Sequence, residues 1–133
     1  MNKYLAAYAA TALLLLALDF LWIGVLAQSL YQEGIGHLMA EQPRWGVAAL
    51  FYALYPAGLL VFVVAPRGVS DGWPSTLVHG AFFGLVAYAT YDLTNLATLK
   101  DWPLGLAALD MAWGCAASCA ACVAGKLAFQ RFV

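Results

Sequence analysis

The stretch Val86–Trp113, VAYATYDLTNLATLKDWPLGLAALDMAW, carries two carboxylates inside apolar segments. Asp92 and Asp110 lie on either side of a short polar turn at Lys100 and Asp101. Both flanking segments look like membrane spans, and a carboxylate inside a span costs about 2.5–3.5 kcal/mol on insertion scales. Acidic residues present at that cost are candidates for a functional site.

The composition of the whole chain is typical of a membrane protein. Of its 133 residues, 65% are hydrophobic and 10% are charged, whereas an ordinary soluble domain has about 25% charged and about 45–50% apolar residues. The chain has room for about four spans of about 20 residues each. The net charge of −1 and the absence of a basic stripe give no support for nucleic-acid binding.

The apolar segments predict an all-α fold, a single membrane domain over residues 1–133 built as an integral four-helix bundle. The predicted spans cover residues 4–27, 46–65, 75–99 and 103–129. The first apolar run is too long for the h-region of a signal peptide, so we interpret it as a retained span. The connection over residues 28–45 is the longest polar one, and the sequence leaves open whether it is helical or re-entrant.

The distribution of positive charge predicts the orientation. With four spans, both termini lie on one side of the membrane. That side holds four basic residues, Lys3, Arg67, Lys126 and Arg131, and the other side holds Arg44 and Lys100. Because Lys and Arg are enriched in cytoplasmic loops, we expect cytoplasmic N and C termini in an inner (cytoplasmic) membrane.

This orientation puts three carboxylates at one depth. Asp19 lies eight residues before the outer end of span one, and Asp92 and Asp110 lie about seven residues from the outer ends of spans three and four. At 1.5 Å per helical residue, each is about 10–12 Å below the outer surface. Ionisable groups in a span almost always face the bundle interior, so an acidic pocket is predicted. Its other predicted lining residues are Trp22, Tyr88, Tyr91, Asn95 and Trp113.

Three buried acids admit three explanations. They share protons, they bind a cation, or they accept hydrogen bonds from Tyr, Trp and Asn and only hold helices together. We predict a pocket for a lipid or small amphipathic ligand, and the alternatives are a lipid-modifying enzyme, a proton-coupled carrier and a structural subunit. The chain has no nucleophile motif, phosphate-binding glycine loop or His-rich metal box. Catalysis therefore stays open, and neither a cofactor nor a metal is predicted.

An internal repeat links the first and last spans. Leu18–Trp22 reads LDFLW and Leu109–Trp113 reads LDMAW, so each segment has Trp three residues after Asp. In antiparallel spans this is either an inverted pair, as found in transporters, or a coincidence.

Two further patterns concern the outer connection and the last span. If the connection is helical, Glu33, His37 and Glu41 share one face and offer metal-ligand types. A solvated interfacial segment is the alternative. In the last span, small residues on one face allow close helix packing, within the chain or in a homodimer. They are Gly114, Ala117, Ala121 and Gly125.

Three segments carry a resemblance to a known family: Asp19–Trp22, Ala87–Asn95 and Asp110–Gly114. They resemble the domain-of-unknown-function 2177 family of small bacterial inner-membrane proteins. The resemblance covers essentially the whole chain, and Tyr91–Pro103, YDLTNLATLKDWP, is its most specific part. It implies four spans, and it carries over no activity and no catalytic residues. The expected partners are membrane lipids, and a homodimer stays open.

Overall fold

The computed structural model describes residues 1–70 and 72–133, which form five α-helices and no β-strand. The helices are α1 (Lys3–Leu21), α2 (Gln28–Ile35), α3 (Trp45–Leu59), α4 (Trp73–Thr98) and α5 (Leu104–Arg131). Two of them continue into π-helical turns, α1 through Trp22–Leu26 and α3 through Leu60–Val64. The end of the bundle that carries both termini is termed the inner end, and the opposite end is the outer end.

Three helical segments are long and apolar enough to cross a membrane: Lys3–Leu26, Trp45–Val64 and Leu104–Arg131. Among the described residues, α4 is outside this group although it has 26 residues. Its second half is rich in Tyr, Thr, Asp and Asn, which lower its hydropathy. The fold is therefore that of an all-helical membrane protein with three candidate spans. The fourth span, the four-helix bundle and the cytoplasmic termini stay predictions.

Helix α5 is the centre of the bundle, because it packs along both α4 and α1. Small residues allow this close approach. A Cβ atom on Gly84 of α4 would overlap the carbonyl oxygen of Gly114 and lie 2.6 Å from Oγ of Ser118. A Cβ atom on Gly125 would overlap Oγ1 of Thr11 in α1. The predicted small-residue seam of α5 is thus filled by contacts within the chain.

Helix α3 approaches α4 and α5 from Tyr55, whose hydroxyl lies 2.7 Å from Oγ of Ser118, to the turn Leu60–Val64 near the inner end. Leu59 and Val64 there are fully buried. Towards its start, α3 is held to α1, where the hydroxyl of Tyr8 donates to the carbonyl oxygen of Ala53 at 2.8 Å. Helix α3 is thus held to α1 as well as to α4 and α5.

Helix α2 lies across the outer end. Its Ile35 is buried in a small cluster with Trp102 and Leu106. A Cβ atom on Gly34 would come within 3.0 Å of Cγ of Pro103. Glycine at this position lets α2 lie close to the start of α5.

The outer connection does not place Glu33, His37 and Glu41 on one helical face. The α-helix ends at Ile35 and a 3₁₀ turn follows, because glycines at positions 34 and 36 weaken a helix. His37 lies instead 3.5 Å from the carboxylate of Asp101, in an exposed pair. Within the described part of the chain, no group of three or more His, Cys, Asp or Glu side chains is arranged to hold a metal ion.

Candidate functional site

A cavity of about 390 Å³ lies among the helices, and all five helices contribute to its wall. Six of the eight predicted site residues line it, namely Asp19, Trp22, Tyr88, Tyr91, Asp110 and Trp113. Four aromatic residues outside the predicted set also line it: Tyr31, Phe51, Tyr52 and Tyr55. Six of the predicted residues therefore share one cavity, and ligand binding there stays a prediction.

The other two predicted residues, Asp92 and Asn95, are not among the lining residues. Asp92 is wholly buried, with an exposed fraction of 0%, and it interacts electrostatically with Asp110. Asn95 is partly buried one helical turn further along α4. Asp92 therefore lies behind the cavity wall and adjoins it through Asp110.

Asp19 is held by neutral donors from two other helices. Its Oδ2 accepts a hydrogen bond from the hydroxyl of Tyr52 at 2.6 Å, and its Oδ1 accepts one from Nε1 of Trp113 at 2.9 Å. Hydrogen bonds to charged groups contribute about 1.5–3 kcal/mol each. This carboxylate therefore joins α1 to both α3 and α5.

Asp110 is held by α2. The hydroxyl of Tyr31 donates to its Oδ1 at 2.5 Å and accepts a hydrogen bond from Nε1 of Trp22 at 3.1 Å. Burial, and next the hydrogen bond to the carboxylate, raise the pKa of Tyr31 above its ordinary value. The phenol therefore stays protonated at neutral pH and keeps donating to Asp110.

The two similar segments, Leu18–Trp22 and Leu109–Trp113, contact each other at the wall of the cavity. Trp22 and Trp113 stack with their ring centroids 4.6 Å apart and their planes 7° from parallel. The N–H of Trp113 donates to Asp19 of the other segment. The N–H of Trp22 reaches Asp110 of the other segment through Tyr31. The repeat thus forms one crossed unit, in which each tryptophan supports the partner segment's acid.

Asp92 has no comparable support. Among the described residues, neither of its carboxylate oxygens has a hydrogen-bond partner, and nor does the indole N–H of Trp102 beside it. Leaving a buried polar group unsatisfied costs about 1–3 kcal/mol, and more when the group is charged. Asp92 therefore differs from Asp19, whose two oxygens each accept a hydrogen bond.

A second space adjoins the cavity. It is a groove of about 750 Å³ between α1 and α3 with a mostly apolar wall, which includes Leu16, Phe20, Gly24, Trp45 and Ala49. The groove shares Asp19, Ile23 and Tyr52 with the cavity. The hydrogen-bonded pair Asp19 and Tyr52 therefore belongs to the walls of both spaces.

The π-helical turn after α1 forms part of both walls. Such turns are rare and are frequent at functional sites. Trp22 and Ile23 of this turn line the cavity, and Gly24 lines the groove. A Cβ atom on Gly24 would have nothing within 4 Å. The groove is thus open at this position, and a larger side chain there would project into free space.

Comparison with known proteins adds the family. The family described as predicted membrane protein (DUF2177) matches residues 4–127 of the chain. No curated protein and no solved structure matches.

Proposed function

The chain belongs to the DUF2177 family of predicted membrane proteins, and we propose that it is a membrane protein that binds a lipid or small amphipathic ligand between its helices. The polar head of the ligand lies in the cavity, and its hydrocarbon chain lies in the groove. The observation that carries this proposal is the junction of the two spaces at Asp19 and Tyr52.

The two spaces correspond to the two parts of an amphiphile. Pockets for small molecules typically measure about 300–1,000 Å³ and are mostly apolar, with few convergent polar groups. The cavity, at about 390 Å³, and the groove, at about 750 Å³, both fall in this range. The polar groups Asp19 and Tyr52 lie where the head of a ligand joins its chain.

The packing of α3 supports entry from the membrane. Its contacts with α4 and α5 lie mainly between Tyr55 and Val64, so movement of the outer part before Tyr55 would disturb the inner core less. The hydrogen bonds from Tyr52 to Asp19 and from Tyr8 to Ala53 hold that outer part to α1. Small outward movements of α3 would admit a hydrocarbon chain into the groove.

We further propose that α4 is a fourth span and that both termini are cytoplasmic, in an inner membrane. At 1.5 Å per residue its 26 residues extend about 39 Å, which exceeds the hydrocarbon thickness of about 30 Å. Its polar Asp92 is buried, while Val78, Phe82 and Val86 are exposed on the outside. A homodimer would use a surface other than the seam of α5, which is filled within the chain.

Fluorescence quenching tests ligand binding. Purified full-length protein in maltoside micelles is titrated with undecyl amphiphiles that carry bromine at the chain end and a hydroxyl, trimethylammonium or phosphate head. Bromine quenches nearby tryptophans, and Trp22, Trp45 and Trp113 lie along the two spaces. We expect saturable quenching by at least one of the three amphiphiles.

A matched pair of glycine variants gives the control. Gly24→Leu fills the groove, and we expect binding at least about tenfold weaker, a loss of about 1.4 kcal/mol. Gly105→Leu adds the same side chain where a Cβ atom also meets nothing, away from both spaces, and should bind like the unchanged protein. The proposal fails if none of the amphiphiles quenches saturably, or if the two variants bind equally well.

A further inference from the structure

The wall of the cavity is acidic and aromatic, and this combination identifies the chemistry of the head group. We propose that the cavity takes a cationic head group, an ammonium group on an amphiphile, beside Asp19 and Asp110. The inference rests on the proposed function, because it names the head group of the ligand whose chain occupies the groove.

The first observation is a deficit of positive charge. Asp19 and Asp110 line the cavity and are only 5% and 6% exposed. Among the described residues, no Lys, Arg or His lines the cavity. The hydrogen-bond donors to the two carboxylates are tyrosines and a tryptophan, which are neutral. Buried carboxylates need a compensating charge or a proton. A cation in the cavity would supply the compensating charge.

The second observation is independent of the lining. The carboxylate of Asp92 is wholly buried and has no hydrogen-bond partner among the described residues. It interacts with Asp110, so two acidic side chains lie together at this part of the cavity wall. A cation next to Asp110 would compensate negative charge shared by this pair. An anionic head group would find no compensating charge among the residues that line the cavity.

The third observation is the aromatic wall. Eight aromatic side chains line the cavity, including the stacked pair Trp22 and Trp113. The faces of aromatic rings attract cations, and cages of such rings recognise quaternary ammonium groups. Tyr88 and Asp19 both line the cavity, so the ring and the acid face the same space. A hydroxyl head would use the carboxylates as acceptors but would gain little from the rings.

The test is the order of binding among the three bromine-labelled undecyl amphiphiles, measured in the unchanged protein. We expect the trimethylammonium compound to bind at least about tenfold more tightly than the alcohol, and the phosphate to bind more weakly than the alcohol. The quenching measured with Gly24→Leu is subtracted for each amphiphile, because it reports adsorption of charged amphiphiles to the micelle rather than binding in the groove. This ordering needs no variant of an acidic residue, so a folding defect cannot obscure it.

Charge-removing variants locate the effect. Asp110→Asn and Asp19→Asn should weaken trimethylammonium binding at least about tenfold and change alcohol binding much less. Asp101→Asn removes an equal charge from the exposed outer turn, where Asp101 pairs with His37, and should change neither. The inference is overturned if the alcohol or phosphate binds as tightly as the ammonium compound, or if folded Asp→Asn variants bind ammonium normally. Saturable, groove-dependent binding of any head group would still uphold the proposed function.

Discussion

At the scale of single residues, the three acids show that burial alone does not determine what a carboxylate does to a membrane fold. Asp19 accepts one hydrogen bond on each oxygen, and Asp110 accepts one from Tyr31. Asp92 is the most deeply buried of the three, and its oxygens accept none within the described part of the chain. We therefore expect the same residue type to stabilise the fold at Asp19 and to destabilise it at Asp92.

This contrast predicts opposite effects for one substitution. Asp92→Leu removes an unsatisfied buried carboxylate and its repulsion with Asp110, so the free energy of unfolding should rise by about 1–3 kcal/mol. Asp19→Leu removes the acceptor of two hydrogen bonds and leaves their donors unpaired, so the free energy of unfolding should fall by at least as much. Unfolding in mixed detergent micelles measures both. A loss of stability in both variants would mean that Asp92 has a favourable native partner.

Tyr31 connects the outer helix α2 to the acid cluster and gives a second prediction at this scale. Tyr31→Phe removes the donor to Asp110 and the acceptor of Trp22, so unfolding should become easier by about 1.5–3 kcal/mol. Tyr4→Phe is the matched control, because the Tyr4 hydroxyl has no hydrogen bond to the described residues and its ring contact with Phe129 is retained. Equal stability of the two variants would contradict a supporting role for Tyr31.

At the scale of helices, close packing in this bundle depends on glycine. Gly84→Ala places a methyl group against the carbonyl oxygen of Gly114 and Oγ of Ser118, and neither backbone can move aside without separating α4 from α5. We expect a loss of about 1–3 kcal/mol or more, the range for overpacked cores. Gly105→Ala, with open space around its Cβ position, should stabilise α5 slightly, since alanine favours helix. Thermal unfolding of the two variants tests this prediction. If Gly84→Ala were as stable as the unchanged protein, the interface between α4 and α5 would be able to adjust to the added methyl group.

Helical spacing accounts for the part of the candidate site that could be predicted from the sequence. Helical spacing puts Asp19 and Trp22 on one stripe and Tyr88 and Tyr91 on another, and these faces do meet around the cavity. Spacing defines a face only to within a broad arc, and Asn95, which was predicted to line the pocket with Tyr88 and Tyr91, is outside the lining. Helical spacing also does not distinguish a side chain that lines a cavity from one buried behind the lining residues, so the position of Asp92 could not be predicted.

The contributions of α2 and α3 could not be foreseen in the same way. Tyr31 lies in a short polar helix whose position depends on contact between Gly34 and Pro103, and such contacts are tertiary. Tyr52 lies in the second predicted span, but its pairing with Asp19 depends on how α3 packs. The π-helical turn Trp22–Leu26 adds a residue to the helical turn, and a strict period of 3.6 does not anticipate it.

At the scale of the whole molecule, the outer surface is what a lipid environment requires. Large apolar side chains are exposed on α1, α3 and α4, among them Phe20, Leu54, Phe62, Val78 and Phe82. Water-soluble monomers rarely expose such an extensive apolar surface. Polar groups are gathered inside instead, where Asp19, Asp92 and Asp110 are buried. The molecule thus has an apolar surface, and its acidic residues are buried among the helices in the half opposite the termini.

The proposal that α4 crosses the membrane is tested by labelling of single cysteines. In a background with Cys115, Cys119 and Cys122 replaced by alanine, cysteine is introduced at Glu41, Val69 or Lys100, all of which are exposed. A membrane-impermeant maleimide should label positions 41 and 100 on intact cells and position 69 only after permeabilisation. Labelling of positions 69 and 100 from the same side would mean that α4 turns back. Asp92 and Asp110 would then not share a depth with Asp19 in a four-span bundle, and the acidic cavity would open towards the membrane surface.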